Sequence, residues 1–361
     1  MYNEKSILDK IEFLKHKDKV IILGVESSCD ETSIAIVENG TKLLANVVAS
    51  QIDIHAKYGG VVPEIASRNH IEALIPALDE ALKIAGLKIT DIDAIAATYG
   101  AGLVGALLVG LNFAKALAYS LEIPLIPTNH IAGHICANFI EYPELKPPFT
   151  CLIVSGGHTA IVVQKDYVEH KLLGQTQDDA LGECFDKVAR VLGLEYPGGP
   201  KVDKLAKSGQ NNIVFRNHNA LASSFDVSFS GLKTAVVNYV HNVKQNGEEL
   251  KVNDICASFS HQAIDELVEK TIRGAIENNC DKIALAGGVA GNSYLREKMQ
   301  ESASQVGINV YYPPLSLCGD NAGMIASAGY FKLKYSQITP DLSIDAQPSL
   351  PIDENKSFLA N

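Results

Sequence analysis

His130 and His134 stand four residues apart in His130-Ile-Ala-Gly-His134. On a helix that spacing turns both imidazoles to one face, where they can reach the same metal ion. No glutamate follows His130, so the HExxH arrangement with its general base is absent. A carboxylate from elsewhere would complete a two-histidine, one-carboxylate site with open positions. Asp320 sits at a glycine turn, Cys318-Gly319-Asp320-Asn321, before a helix. Spacing alone does not bring it to the histidines, and a purely structural histidine pair is the plainer alternative.

Two turns offer a different chemistry. Glu26-Ser27-Ser28-Cys29-Asp30-Glu31-Thr32-Ser33 sets small hydroxyl residues beside acids, and Val154-Ser155-Gly156-Gly157-His158-Thr159 lacks bulky side chains at its centre. Such turns expose backbone N–H groups to a phosphate, and a nearby acid can hold a cation or water. Simple strand connections are the alternative. Gly287-Gly288-Val289-Ala290-Gly291-Asn292 follows a strand without matching the dinucleotide fingerprint. Its small residues admit a flat ligand such as adenine or ribose, or only a tight strand-to-helix crossing. Asp186 and Asp203 flank Tyr196-Pro197-Gly198-Gly199-Pro200 and suit ribose hydroxyls; Asp178 and Asp179 read equally well as a solvated face. Ser228-Phe229-Ser230-Gly231-Leu232-Lys233-Thr234 is either a phosphate or RNA contact or an ordinary turn.

These residues need a scaffold. The 361 residues are 47% hydrophobic and 20% charged, enough for two domains or one two-lobed domain and too apolar for disorder. No stretch approaches the roughly 18–20 uninterrupted apolar residues of a membrane span, and no membrane partner is expected. The net charge of -11 is unlike the basic balance of nucleic-acid binders, so any RNA contact must be local or shared with a partner. Seven scattered cysteines without a CxxC pair, and a mixed-charge start unlike a signal peptide, fit a cytoplasmic protein with reduced thiols.

Apolar runs at 20–25, 32–37 and 42–49, helical periodicity over 64–85, a strand at 92–97 and a glycine-rich stretch before a helix predict an α/β fold. Strand, polar turn, strand recurs at 150–164, so a duplicated architecture is expected. The expected division is an amphipathic N-terminal extension (1–19), a first lobe (20–128) onto which a helix near 321–335 packs back, a second lobe (129–320) carrying the metal and adenylate site, and a surface tail (338–361).

Taken in order, the motifs resemble the TsaD family of tRNA N6-adenosine threonylcarbamoyltransferases. Those carrying the resemblance are Gly24 to Ser33, Gly60-Val-Val-Pro-Glu-Ile-Ala-Ser-Arg-Asn-His70, Gly105 to Gly110, Asn129 to His134, Val154 to His158, Phe185-Asp-Lys187, Tyr196 to Pro200, Ser228 to Ala235, Gly287 to Asn292 and Gly319-Asp-Asn321. The resemblance implies a two-lobed fold of the actin-like and sugar-kinase-like ATPase class with an interlobe cleft. It implies one divalent metal, Fe2+ or Zn2+, on His130, His134 and Asp320, and no organic cofactor. Val154, Ser155, Gly156, Gly157, His158, Asp186, Gly199, Asp203 and Asn292 would hold threonylcarbamoyladenylate. Glu31 would lie by the transferred group, with Glu31 and His158 the candidates for proton transfer. The implied reaction moves threonylcarbamoyl to N6 of tRNA adenosine 37 with release of AMP, beside a TsaB-like paralogue and a TsaE-like ATPase.

An ATP-dependent small-molecule kinase or a non-catalytic ATP-binding partner of the same fold are the alternatives. The kinase would not need the histidine pair, and the partner would be expected to lose it. A metalloendopeptidase is disfavoured by the missing glutamate. The chain departs from the family at Gly100-Ala101-Gly102-Leu103, where Gly-Pro-Gly-Leu is usual, and its extension and tail exceed the usual length.

Overall fold

The computed structural model describes residues 2–215, 221 and 223–353. Helices are α1 (Glu4–His16), α2 (Ile52–Ala56), α3 (Pro63–Ala85), α4 (Val104–Leu121), α5 (His130–Glu141), α6 (Leu181–Val191), α7 (Gly199–Ala206), α8 (Ser230–Gln245), α9 (Val252–Glu277), α10 (Ser293–Ser304), α11 (Leu315–Cys318) and α12 (Ala322–Tyr335). Strands are β1 (Ile21–Glu26), β2 (Glu31–Glu38), β3 (Lys42–Ser50), β4 (Ala94–Gly100), β5 (Leu125–Asn129), β6 (Phe149–Val154), β7 (Thr159–Gln164), β8 (His170–Gln175), β9 (Lys282–Ala286) and β10 (Asn309–Tyr311).

Two compact units result, one of residues 1–147, 165–170 and 319–361, the other of 148–164 and 171–318. The first holds a sheet in the order β3-β2-β1-β4-β5, and the other sheet reads β8-β7-β6-β9-β10. In each, a hairpin (β1–β2, β6–β7) is antiparallel and its first strand pairs in parallel with a later strand, β4 or β9. The recurring strand–turn–strand pattern is thus a recurring topology.

In the first unit β1 is buried at every position, as a central strand covered on both faces must be. Alternation sends Leu23 and Val25 into an apolar cluster with Ile95, Leu74 and Leu111. Gly24 faces α12, where a Cβ would lie 2.1 Å from the Ala322 carbonyl oxygen. Helix α5 packs on α12 too, so residues 129–147 belong to the first unit. That moves the expected break from 128 to 147 and carries the histidines with it.

The ends are docked. Ile7, Ile11 and Leu14 of α1 are buried, and Lys334 donates to the carbonyls of Leu14 and Lys15 in its last turn and of Lys17 at its C-cap. The tail does not trail on the surface as expected: Leu350 and Ile352 are buried, while residues 354–361 lie outside the described residues. By length and mean hydropathy α4 passes as an 18-residue span. It carries Asn112 and Lys115, and buries Leu107, Leu111, Ala114 and Ala118 where it packs on β4 and α3.

Candidate metal centre and nucleotide pocket

Asn129 starts α5 by accepting from Ile131 N and Ala132 N. This N-cap sets the helix phase that stacks His130 and His134, whose ring centroids are 4.6 Å apart. Gly133 between them lets α5 approach α12, since a Cβ there would lie 2.7 Å from Ile325 Cδ1. Asp320 precedes α12, which Asn321 caps by accepting from Met324 N. Asp320 Oδ1 lies 3.5 Å from His130 Nε2 and 3.3 Å from His134 Nε2, and the three ligand atoms fall within 4.8 Å of one another.

His130 Nδ1 meets Glu26 Oε2 at 3.0 Å and Ser28 Oγ at 3.1 Å. Thr98 Oγ1 and Ser28 N donate to the same carboxylate. Burial works against a charged His130, but Asp320 and Glu26 outweigh it and push the imidazole up to about 9. Burial likewise opposes the Glu26 anion, and His130 nonetheless holds that carboxyl below its ordinary range. Glu26 so placed orients the ring and leaves Nε2 facing the cluster, the carboxylate-backed geometry of metal-binding histidines. Sequence reading placed Glu26 among the acids of its turn but not beside His130; its signal was an acid closing an otherwise apolar strand.

His134 is fully buried, and neither ring nitrogen has a hydrogen-bond partner among the described residues. Such orphans cost about 1–3 kcal/mol. Burial first, then Asp320 and Asp30, push Glu31 up to about 9. A cation on His130, His134 and Asp320 would offset the Asp320 charge that Glu31 feels and give His134 Nε2 a ligand bond. The residues present fit a divalent metal.

In the other unit, Gly156, Asp186, Gly199, Asp203 and Asn292 line one cavity of about 430 Å³. Asp186 Oδ1 accepts from Gly198 N and Gly199 N, fixing the glycine-proline turn. Asp203 Oδ1 accepts from Ser293 N and Oγ, and Asn292 caps α10 through Leu295 N. Phe185, Pro197 and Val289, from motifs read in the sequence, and Leu315, which was not, supply apolar walls. Gly287, at φ +90, passes beneath Val154, where a Cβ would meet the carbonyl oxygen at 2.4 Å.

Ser155, Gly157 and His158 form the turn beside Gly156, closed by Ser155 N to His158 O and His158 N to Ser155 Oγ. A Cβ at Gly156 or Gly157 would meet nothing within 4 Å, so this backbone is open to a ligand. Val154 is a buried strand residue that contributes position only. The Ser228–Thr234 turn is already engaged: Ser228 Oγ, Ser230 Oγ, Phe229 N and Ser230 N all donate to Asp178, and Lys233 pairs with Asp179.

Two sheets of one topology, a histidine–aspartate cluster in one unit and a nucleotide-sized pocket in the other, define an α/β protein of the actin-like ATPase fold class. HypF of T. kodakarensis aligns with a TM-score of 0.57 at 14% identity, over 90% of this chain and 49% of its own. The Acidaminococcus fermentans (R)-2-hydroxyglutaryl-CoA dehydratase component A aligns at 0.50 and 16%, over 87% and 98%. At these identities the likeness shows the fold alone.

The chain belongs to the TsaD family, the tRNA N6-adenosine threonylcarbamoyltransferases, whose profile matches residues 42–327. The Clostridium perfringens protein of that name is 53% identical over 93% of this chain and 99% of its own. The Clostridium botulinum one is 54% identical over 94% and 99%. Matches of that extent leave too little chain for both 1–19 and 338–361 to exceed the family's length.

Proposed function

We propose that this chain transfers the threonylcarbamoyl group of L-threonylcarbamoyladenylate to N6 of adenosine 37, in tRNAs reading codons that begin with A. The carrying observation is the convergence of His130, His134 and Asp320 on one point from distant parts of the sequence. Those three would hold one divalent ion, Fe2+ in first place and Zn2+ in second. Bound there, the ion supplies a Lewis acid for an acyl oxygen.

The chain's own residues do the rest. Phe185, Val289 and Leu315 offer the adenine an apolar slot, and Asp186 and Asp203 face the pocket for ribose hydroxyls. The open amides of the Ser155–His158 turn suit the phosphate. In the transfer a bond forms between N6 and the carbamoyl carbon. The bond from that carbon to the adenylate oxygen breaks, AMP departs with the electron pair, and N6 loses a proton. His158 is the candidate acceptor of that proton. Glu31, beside the transferred group, is the second candidate for proton transfer.

The acidic chain calls for help with RNA, from a TsaB-like paralogue and a TsaE-like ATPase. Ile71 and Ile75 on α3, with Val104 and Leu108 on α4, are exposed and offer a non-polar face to such a partner. Seven free thiols suit the cytoplasm. A kinase of this fold would use the pocket but leaves the His/Asp cluster unexplained.

The test is incubation with threonine, bicarbonate, ATP, the partner proteins and an adenosine-37 tRNA, followed by nucleoside mass spectrometry. Threonylcarbamoyladenosine is the expected product. ATP consumption with no change in the tRNA would overturn the proposal.

A further inference from the structure

The segment before the C-terminus crosses the first unit as an ordered strap. Gln347 N donates to the Tyr99 carbonyl at 2.7 Å, and Gly102 N donates to the Pro348 carbonyl at 3.1 Å. Asn129 Nδ2 donates to the Pro351 carbonyl at 2.9 Å. Between these points Leu350 sinks into the core at 4% exposure. Gly100 makes the close approach possible, because a Cβ there would meet the Gln347 carbonyl oxygen at 2.2 Å and Leu350 Cβ at 2.7 Å.

What the strap grips is what aims His130. Asn129 is held at both ends of its amide: Oδ1 caps α5 one residue before His130, and Nδ2 is bound by the strap. On the other side, Gly102 packs against Ser28, where a Cβ would lie 2.6 Å from the carbonyl oxygen. Leu103 N donates to that same carbonyl, and Ser28 Oγ meets His130 Nδ1 at 3.1 Å. Both routes from the strap end at one imidazole. A strap serving only to cover the sheet end would need Leu350 but not an amide shared with the cap of the histidine helix.

We propose that Gln347–Pro351 is a positioning strap that fixes the direction of His130, and with it the geometry of the His130–His134–Asp320 centre, a role that stands on the metal reading of that cluster. Asn129 is its positioning residue. Asn129→Asp separates the two functions of that side chain. It keeps an oxygen to cap α5, where an anion is also favoured by the helix dipole, and removes the donor to Pro351. Leu350→Ala loosens the strap without touching α5.

The probe is Co2+, titrated into metal-free full-length protein and followed by its visible absorption, with hydrogen exchange read at residues 347–353. Both variants are expected to bind Co2+ about tenfold more weakly, the scale seen when a ligand's outer partner is lost, with an altered visible band, faster exchange in the strap and a cooperative melt. Unchanged Co2+ affinity and spectrum beside fast strap exchange would overturn the proposal. So would weakened binding with the strap still protected as in the parent. A parent chain that binds no Co2+ would instead remove the metal reading on which the strap's role depends.

Discussion

At the scale of single residues, His134 is the most exposed to test, because it is buried and has Asp320 Oδ1 as a polar neighbour, 3.3 Å from Nε2. Its two ring nitrogens have no hydrogen-bond partner among the described residues, so a structural role would leave a cost of about 1–3 kcal/mol uncompensated. His134→Ala is expected to fold and melt cooperatively, to fall to background in metal content by mass spectrometry, and to form no threonylcarbamoyladenosine. Full tRNA modification by this variant would remove the ion from the mechanism.

Asp178 makes a different residue-scale case. Slight burial opposes its charge, but two serine hydroxyls and two backbone N–H groups hold its carboxyl below the ordinary range. A folded value below the unfolded one means stability that is present at neutral pH and lost as pH falls through the lowered value. Asp178→Asn is therefore expected to cost about 1 kcal/mol near pH 7, the worth of a helix cap. The gap should shrink in urea melts run toward pH 3.

Elements place these residues through close approaches that only small side chains permit. Helix α6 reaches the Ser155–Gly156 turn because position 182 is glycine; a Cβ would lie 2.6 Å from the Ser155 carbonyl oxygen and 2.9 Å from Gly156 Cα. Both neighbours are backbone and cannot swing aside. Gly182→Ala should displace the turn and weaken AMP binding about tenfold, or ~1.4 kcal/mol, measurable by calorimetry. At the other end of the chain, α1 is held by three buried side chains and the Lys334 cap. Ile11→Ala should cost about 2–5 kcal/mol in chemical denaturation, with Co2+ and AMP binding unchanged under folding conditions.

For the whole molecule, each set of binding residues lies inside one compact unit: His130, His134 and Asp320 in the first, Asp186, Gly199, Asp203 and Asn292 in the other. Binding at each set should then be separable, because substitutions without shared partners act independently. Asp186→Asn is expected to weaken AMP binding and leave the Co2+ titration as in the parent, while His134→Ala does the converse. Loss of both ligands in either variant would show that one set cannot form without the other.

Much of this protein was legible in its residues. Fully apolar runs such as 20–25 read as central strands because a strand covered on both faces has no polar side to show, and His130-Ile-Ala-Gly-His134 read as one helix face because the helical period dictates it. The ordered motifs carried the family. Other features had no local trace. Asp320 lies far along the chain from the histidines, and only the packing of α12 on α5 and β1 brings its carboxylate to them. Glu26 became a partner of His130 through the pairing of β1 with β4 and of β4 with β5. The boundary at 147, the serines held by Asp178 and the tail anchored by Leu350 likewise arise from contacts between distant segments. Local sequence fixes period, turn and helix cap, whereas which faces meet is set by burying all the apolar surface at once, and that is decided by the chain as a whole.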